Sequence, residues 1–282
     1  MKPHNERYWV AKLTFVLTIV TVASLVYPTH MLASDKLLID GSTGVKPLIA
    51  ALANQYAEAA DNPKIVLGEG LRPNDRIQAL LDGNIDIAMA SHGIDAERLY
   101  RQGLKVHKIA ITAVVLGANS SVEVSNISNQ QLCDIYAGQL TDWRQLGGQS
   151  LALIPLIRPF DEVDTEVINM QIPCFNKAMV PSHVTVYKKS GQMAKAIAKT
   201  PGAIGMTTLV RVAQSKGKIR ALALNGVLPA ARNLASGNYP LVRNMYLITA
   251  QQPTDMVTAF ITFVRSPIGD KIVRQNNAAP AS

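Results

Sequence analysis

The chain has 282 residues, a formal net charge of +8 and two cysteines, and 48% of its residues are hydrophobic. A positive balance suits an anionic ligand, a nucleic acid or a membrane surface. Because the Lys and Arg residues are scattered, without a basic run or an aromatic–basic ladder, we expect no nucleic-acid binding and no direct membrane binding.

The N-terminal 33 residues have the pattern of a secretory signal. Three basic residues precede a 15-residue uncharged apolar stretch from Leu13 to Tyr27, and small residues follow at Ala33-Ser34. A helix that spans a bilayer needs roughly 20 residues. The pattern therefore favours cleavage after Ala33, and a periplasmic or secreted mature protein, over a retained anchor. The remainder is long enough for one large domain or two domains of about 100 to 130 residues each.

Short apolar runs alternate with helix-like segments from Lys36 onwards, which is typical of an α/β fold. The first half predicts strands over 36–40, 65–67, 85–90 and 109–116, and helices over 45–60, 75–81 and 128–136. The last of these helices begins with a capping box formed by Ser128 and Gln131. Polar loops follow the strands, at the edge where open α/β sheets usually bind ligands.

The second half continues the alternation. It predicts strands over 151–157 and 203–206, a helix-like segment opened by Asp164-Thr165, and a terminal helix that Ser266-Pro267 caps.

No Pro/Gly-rich linker divides the chain into sequential domains. We expect it to cross between two lobes near 109–118 and again near 220–226. The first lobe would then be discontinuous, with residues 34–115 and 224–282, and the second lobe would contain residues 116–223.

Three loops carry the groups that an oxyanion needs, which are backbone N–H groups at helix starts, hydroxyl donors and an Arg fork. They contain Ser42-Thr43, Ser91, and Arg158 with Thr165. Taken singly, a Ser or Thr before a helix is more often an ordinary cap.

Other classes of site have little support. The sequence contains no nucleotide-binding glycine motif and no G-x-S-x-G elbow, and its five histidines have no paired helical spacing. We therefore expect no cofactor, no metal and no enzymatic activity. Cys133 and Cys174 either form a disulfide or are two buried thiols.

Several segments in order along the mature chain match one known family. They are Gly41-Ser42-Thr43, Gly68 to Ser91, Leu132 to Gly138 with Trp143, Pro201 to Gly205, and Tyr239-Pro240-Leu241 with Arg243. In these segments the chain resembles the phosphate-binding family of periplasmic receptors of ABC transporters. The resemblance implies a bilobal periplasmic-binding-protein fold in the α/β class. It also implies a monomer that closes on a small oxyanion, with inorganic phosphate the first candidate, and presents it to a membrane permease.

The ligand loops depart from the family pattern at two places. The family commonly has Ser-Gly-Thr after its Arg, whereas here Arg158 and Thr165 are kept and Ser-Gly is not. After Gly70, in the segment that resembles the family's second ligand loop, Leu71-Arg72 stands where Ser and Gly are usual. Arg72 either replaces the missing hydroxyl with a charge-assisted bond or points into solvent.

Ser91 and two acidic residues of the opposite lobe, near Arg158, leave further alternatives. Ser91 occupies a position where some members have Asp and others Ser. Asp161 or Asp164 either accepts the proton of monohydrogen phosphate and repels sulfate, or caps a helix and stabilises its dipole. The altered loops also motivate a second hypothesis, a sensory, adhesive or scaffold module that kept the fold with altered or lost ligand binding. A periplasmic hydrolase ranks third.

Overall fold

The computed structural model describes Met1 and residues 36–58, 64–91, 94–176 and 179–281. The predicted signal, apart from Met1, and the predicted end of the first helix lie outside the described residues. No helix in the described ranges is long and apolar enough to cross a membrane.

Strands and short helices alternate along the described chain, as predicted. The strands are β1 Lys36–Gly41, β2 Lys64–Leu67, β3 Ile87–Ser91, β4 Leu104–Asn119, β5 Asn126–Ile127, β6 Ile154–Ile157, β7 Thr185–Val186, β8 Ala203–Thr208, β9 Ile219–Ala221, β10 Ala223–Leu224, β11 Val242–Ala250 and β12 Ala279–Pro280. The helices are α1 Lys46–Glu58, α2 Pro73–Leu81, α3 Ala96–Arg101, α4 Asn129–Tyr136, α5 Val163–Gln171, α6 Ser190–Lys199, α7 Leu209–Gln214, α8 Ala231–Ala235, α9 Asp255–Val264 and α10 Pro267–Gln275, with a 3-10 turn at Trp143–Leu146.

Two predicted helix starts are confirmed in atomic detail. At α4, the Ser128 hydroxyl accepts from the Gln131 N–H at 3.1 Å, and the Ser128 N–H donates to the Gln131 side chain at 2.8 Å. At α10, the Ser266 hydroxyl accepts from the Gly269 N–H at 3.2 Å, with Pro267 in the first turn. Local side-chain caps therefore fix where these helices begin.

The main sheet has the order β2-β1-β3-β11-β4-β8-β6-β7, and β4 is its longest strand. The first part of β4 pairs with β11 up to Ala113, and its last part pairs with β8 from Val114 onwards. One parallel group, β1 to β3, lies on the β11 side, and another, β6 to β8, lies beyond β4. Because both groups run antiparallel to the strands that join them, their carboxyl ends converge near the middle of β4.

Separate hydrophobic cores support the two strand groups. The first is built around β1, β3, α1 and α9, with a smaller cluster beside it, and the second around β6, β8, α4 and α6. Leu224, Leu234, Tyr239 and Leu241 pack into the second core. The Tyr239 hydroxyl donates to the Val114 carbonyl at 3.0 Å. From this packing we propose a return crossing near Leu241, whereas the sequence predicts one near 220–226.

A disulfide joins α4 to the segment after α5. Cys133 and Cys174 are bonded with their Cα atoms 5.9 Å apart, and 41 positions separate them in the chain. Of the two alternatives for the cysteines, the structure has the disulfide. It fixes α5, which carries two of the predicted site residues, against the second core.

Candidate anion-binding site

The loop after β1 brings two predicted hydroxyls together. Gly41 has φ +134°, and a Cβ there would clash with the Met89 carbonyl of β3. The Asp40 carboxylate accepts from the N–H groups of Gly41 and Gly70 at 2.7 and 2.8 Å. Because this loop lies close to β3, the hydroxyl oxygens of Ser42 and Ser91 are 3.5 Å apart.

Arg243 of β11 connects this loop to α5. It is 2% exposed, its Nη2 donates to the Ser42 hydroxyl at 3.4 Å, and its Nη1 forms an ion pair with the Asp164 carboxylate. A Cβ on Gly44 would lie 2.6 Å from the guanidinium, so a larger residue there would displace the Arg243 side chain. The pair joins residues that support different cores, and both its members are buried.

Arg158 lies at the end of β6 and is 2% exposed. Its Nη2 lies 2.6 Å from the Glu162 carboxylate, and the Thr165 hydroxyl donates to its carbonyl oxygen at 3.2 Å. Thr165 therefore orients the Arg158 backbone and keeps only acceptor capacity for a ligand. Within the part of the chain that the structure describes, the Nε and Nη1 atoms of Arg158 have no hydrogen-bond partner.

Two further arginines approach the same place. Arg76 of α2 is buried, and its pKa is lowered to about 10. The main cause is burial and the second is the positive charge of Arg243, whereas the negative charge of Glu162 raises the pKa. Burial lowers the pKa of Arg211 in α7. The negative charge of Asp164 raises this pKa, and the positive charge of Arg158 lowers it further. The Arg211 Nη2 donates to the Thr43 carbonyl at 3.4 Å. Four arginines thus lie within electrostatic reach of one another, and we call them the arginine cluster.

Unpartnered donors are concentrated at the arginine cluster. Among the described residues, eight buried side-chain atoms have no hydrogen-bond partner, and six of them belong to this region. The six are Nε of Arg76, Arg158, Arg211 and Arg243, Nη1 of Arg158, and Oγ of Ser190. Each such atom typically destabilises a protein by about 1–3 kcal/mol. This concentration indicates a site for a ligand with several acceptor oxygens.

Ser190 belongs to the site through its neighbours. It opens α6, is 2% exposed, and its N–H donates to the Thr43 hydroxyl at 3.4 Å. A Cβ on Gly191 would lie 3.4 Å from the Arg211 guanidinium. Within the described residues, no cluster of His, Cys, Asp and Glu could hold a metal ion.

The predicted site residues divide into two groups. The structure brings together Ser42, Thr43, Ser91, Arg158, Asp164 and Thr165. Arg72 and Asp161 are exposed. For Arg72 the exposure favours the solvent alternative, since Arg76, one helical turn later, is the buried arginine of α2.

Asp164 is the buried member of the two acidic candidates, and its carboxylate is bonded to Arg243. The N-cap of α5 is Glu162, so Asp164 does not cap this helix.

Residues 28–267 match the family model of the PBP superfamily domain. The chain belongs to this family. Similar curated members of the superfamily include the phosphate-binding protein PstS of Bacillus subtilis, with 28% identity over 83% of this chain and 76% of the relative. The phosphate-binding protein PstS of Borreliella burgdorferi is 24% identical over 94% of this chain and 97% of the relative. The resemblance predicted from the sequence motifs is confirmed.

Solved structures show the same superfamily fold. A putative phosphate ABC transporter substrate-binding protein from Clostridium perfringens, solved with bound phosphate, has a TM-score of 0.74 at 22% identity. The alignment covers 88% of this chain and 100% of that one. An ABC-type phosphate transport receptor from Vibrio cholerae has a TM-score of 0.60 at 22% identity, over 86% of this chain and 99% of that one. The predicted bilobal α/β periplasmic-binding-protein fold is confirmed.

Proposed function

We propose that this protein is an exported solute-binding protein that captures inorganic phosphate for an ABC-type importer. The observation that carries the proposal is the arginine cluster, with six buried donor atoms that lack partners within the described residues. Charged donors removed from water are strongly destabilising unless an anion pairs with them. A tetrahedral oxyanion offers several acceptor oxygens in different directions, which matches donors that come from different elements.

The charge balance favours a dianion. Two carboxylates, Asp164 and Glu162, are bonded to arginines of the cluster. Four guanidinium groups therefore exceed the carboxylates by two positive charges. Monohydrogen phosphate would neutralise this excess. The curated relatives named above are phosphate-binding proteins, which supports phosphate as the first candidate.

Asp164 supplies the discrimination between phosphate and sulfate in this proposal. Its carboxylate is buried within the arginine cluster and keeps acceptor capacity beyond its bond to Arg243. Monohydrogen phosphate donates one proton and satisfies such an acceptor, whereas fully ionised sulfate has no proton and is repelled. The second candidate from the sequence, Asp161, is exposed and has no part in this step.

Binding proceeds by closure of the two lobes, and no covalent bond forms or breaks. Donors come from both sides of β4, with Ser42 and Arg243 on one side and Arg158 and Ser190 on the other. Lys189 adds a contact between the sides, since its Nζ donates to the Glu69 carbonyl at 3.0 Å. An anion that pairs with both sets stabilises the closed state by its higher affinity for that state. The closed monomer is the form that we expect a membrane permease to recognise, in the periplasm or outside the cell.

Calorimetric titration of ligand-stripped protein with phosphate, sulfate, molybdate and tungstate tests the proposal. We expect one saturable site that prefers phosphate over sulfate. An absence of heat with every oxyanion, from a sample whose circular dichroism shows it to be folded, would rule the proposal out.

The alternative is a sensory, adhesive or scaffold module with altered or lost ligand binding. It is favoured by the Asp164–Arg243 pair, because an internal carboxylate already neutralises one arginine of the cluster. In that case no oxyanion would change the melting temperature, and a surface or signalling protein would co-purify with the chain.

A further inference from the structure

A pocket of about 560 Å³ lies between the start of β4, the end of β11 and helix α9. Its volume is in the range of small-molecule sites. We call it the His107 pocket, and it is lined by Lys105, His107, Gln251, Pro253, Thr258, Ile261, Thr262, Arg265 and Ser266.

The His107 pocket is separate from the arginine cluster and shares no lining residue with it. On β4, His107 is opposite Leu247, whereas Thr112 is opposite Arg243. Five residues of extended strand correspond to about 17 Å. A ligand in this pocket would not contact an anion at the cluster.

The floor of the pocket carries one hydrogen-bond acceptor. His107 is 8% exposed, and its Nε2 lies 3.1 Å from the Thr249 hydroxyl oxygen. That hydroxyl donates its proton to the Ala250 carbonyl at 2.8 Å. Nε2 must therefore be the protonated nitrogen, and in the neutral ring Nδ1 is left as an acceptor.

The rim of the pocket carries two cations. Lys105 and Arg265 are exposed, and within the described residues neither forms an ion pair or a side-chain hydrogen bond. None of the described lining residues is acidic. The pKa of His107 is lowered to about 4. Burial is the main cause, and the positive charges of Lys105 and Arg265 lower the pKa further. Both cations thus act on this pocket, and His107 is neutral at pH 7.

Three other polar side chains of the lining donate to backbone carbonyls. The Gln251 amide nitrogen donates to the Tyr100 carbonyl at 2.6 Å. The Thr262 hydroxyl donates to the Thr258 carbonyl at 2.8 Å, and the Ser266 hydroxyl donates to the Phe263 carbonyl at 2.7 Å. Pro253 and Ile261 add apolar surface. The pocket therefore combines a cationic rim, an apolar wall and a buried acceptor at His107.

We propose that the His107 pocket binds a small organic carboxylate with an apolar body and one hydrogen-bond donor. The carboxylate pairs with Lys105 and Arg265, the apolar body lies against Pro253 and Ile261, and the donor reaches Nδ1 of His107. This site does not depend on phosphate binding.

The probe is 4-hydroxybenzoate, which has all three features, compared with benzoate, which lacks the hydroxyl, and phenol, which lacks the carboxylate. Titration calorimetry on the full mature chain is expected to show one saturable site for 4-hydroxybenzoate and weaker binding of both analogues. The double variant K105Q/R265Q should bind the probe about tenfold more weakly, because it loses both charge-assisted contacts.

The matched control is Lys108→Gln, which removes an exposed lysine of the same strand that does not line the pocket. It should leave the affinity for 4-hydroxybenzoate unchanged. A phosphate titration on each sample reports on the other site and on folding, so failure of one proposal does not imply failure of the other. The inference is overturned if 4-hydroxybenzoate shows no saturable binding, or if K105Q/R265Q binds it as well as the parent chain does.

Discussion

The arginine cluster and the His107 pocket are both cationic, and they differ in how far their charges are removed from water. Arg76, Arg158 and Arg243 are at most 7% exposed, whereas Lys105 and Arg265 are exposed. Water satisfies the exposed cations, so the His107 pocket is stable when empty. The buried arginines have lost that water, and in the proposed function an anion takes its place. The need for a bound anion therefore depends on how deeply the cations are buried, rather than on how many there are.

The largest expected effect is the loss of phosphate binding in Arg158→Ala. This change removes a buried guanidinium with two unpartnered nitrogens, so we expect the affinity to fall about 100-fold or more. Titration calorimetry measures it. Arg72→Ala is the matched control, since Arg72 is exposed at the start of α2, and its affinity should change less than twofold. Equal losses in the two variants would contradict the assignment of the site.

The next expected effect is on stability. Asp164→Asn leaves Arg243 buried without its counter-ion, and removal of one partner from a buried ion pair destabilises the fold by about 3 kcal/mol. Urea unfolding without ligand measures this, and saturating phosphate should recover part of the loss because it supplies negative charge. Asp161→Asn, at an exposed position just before α5, should leave the midpoint unchanged. A midpoint shift of similar size in both variants would argue against the buried pair.

The same Asp164→Asn variant should also bind sulfate more tightly than the parent chain does. The repulsion between the Asp164 carboxylate and fully ionised sulfate is removed, while the arginines remain. Competition between sulfate and phosphate, followed by calorimetry, tests it. Unchanged discrimination would assign selectivity to another residue.

The smallest expected effect concerns pH and His107. Burial lowers its pKa to about 4, below the ordinary value of about 6.5 in an unfolded chain. Between these values the unfolded state binds more protons, so stability is lost as pH falls from about 6.5 towards 4. We expect this contribution to stay below about 2 kcal/mol because charges near the surface are screened.

Urea unfolding at pH 7 and pH 5 compares the parent chain with His107→Gln. The variant should lose less stability than the parent between these two pH values. His183→Gln, at an exposed histidine, should behave like the parent. A parent chain that is equally stable at both pH values would contradict the proposed environment of His107.

The fold could be predicted because its signals are local. Alternating apolar runs gave the order of strands and helices, and the Ser128 and Ser266 caps fixed two helix starts. The position of the return crossing is harder to predict, since the contacts of Tyr239 and Leu241 with the second core depend on packing that periodicity does not report.

Besides Arg158, two arginines of the cluster left a readable pattern in the sequence. Arg243 alternates with Met245 and Leu247 on the buried face of β11, and Arg76 shares the buried face of α2 with Leu80. A cation on an apolar face is a recognisable signal for a buried charge.

Arg211 and Ser190 gave no such signal. They meet Thr43 only when the loop after β1 lies against α6 and α7. Their place in the site comes from tertiary packing and could not have been read from the sequence near them.

The most direct test of the proposed anion site is a crystal structure of the ligand-stripped protein soaked with phosphate. We expect one phosphate at the arginine cluster, with its oxygens within hydrogen-bond distance of Arg158 Nη1 and Ser190 Oγ, two of the unpartnered atoms. A phosphate bound elsewhere, with those two atoms unchanged, would contradict this expectation.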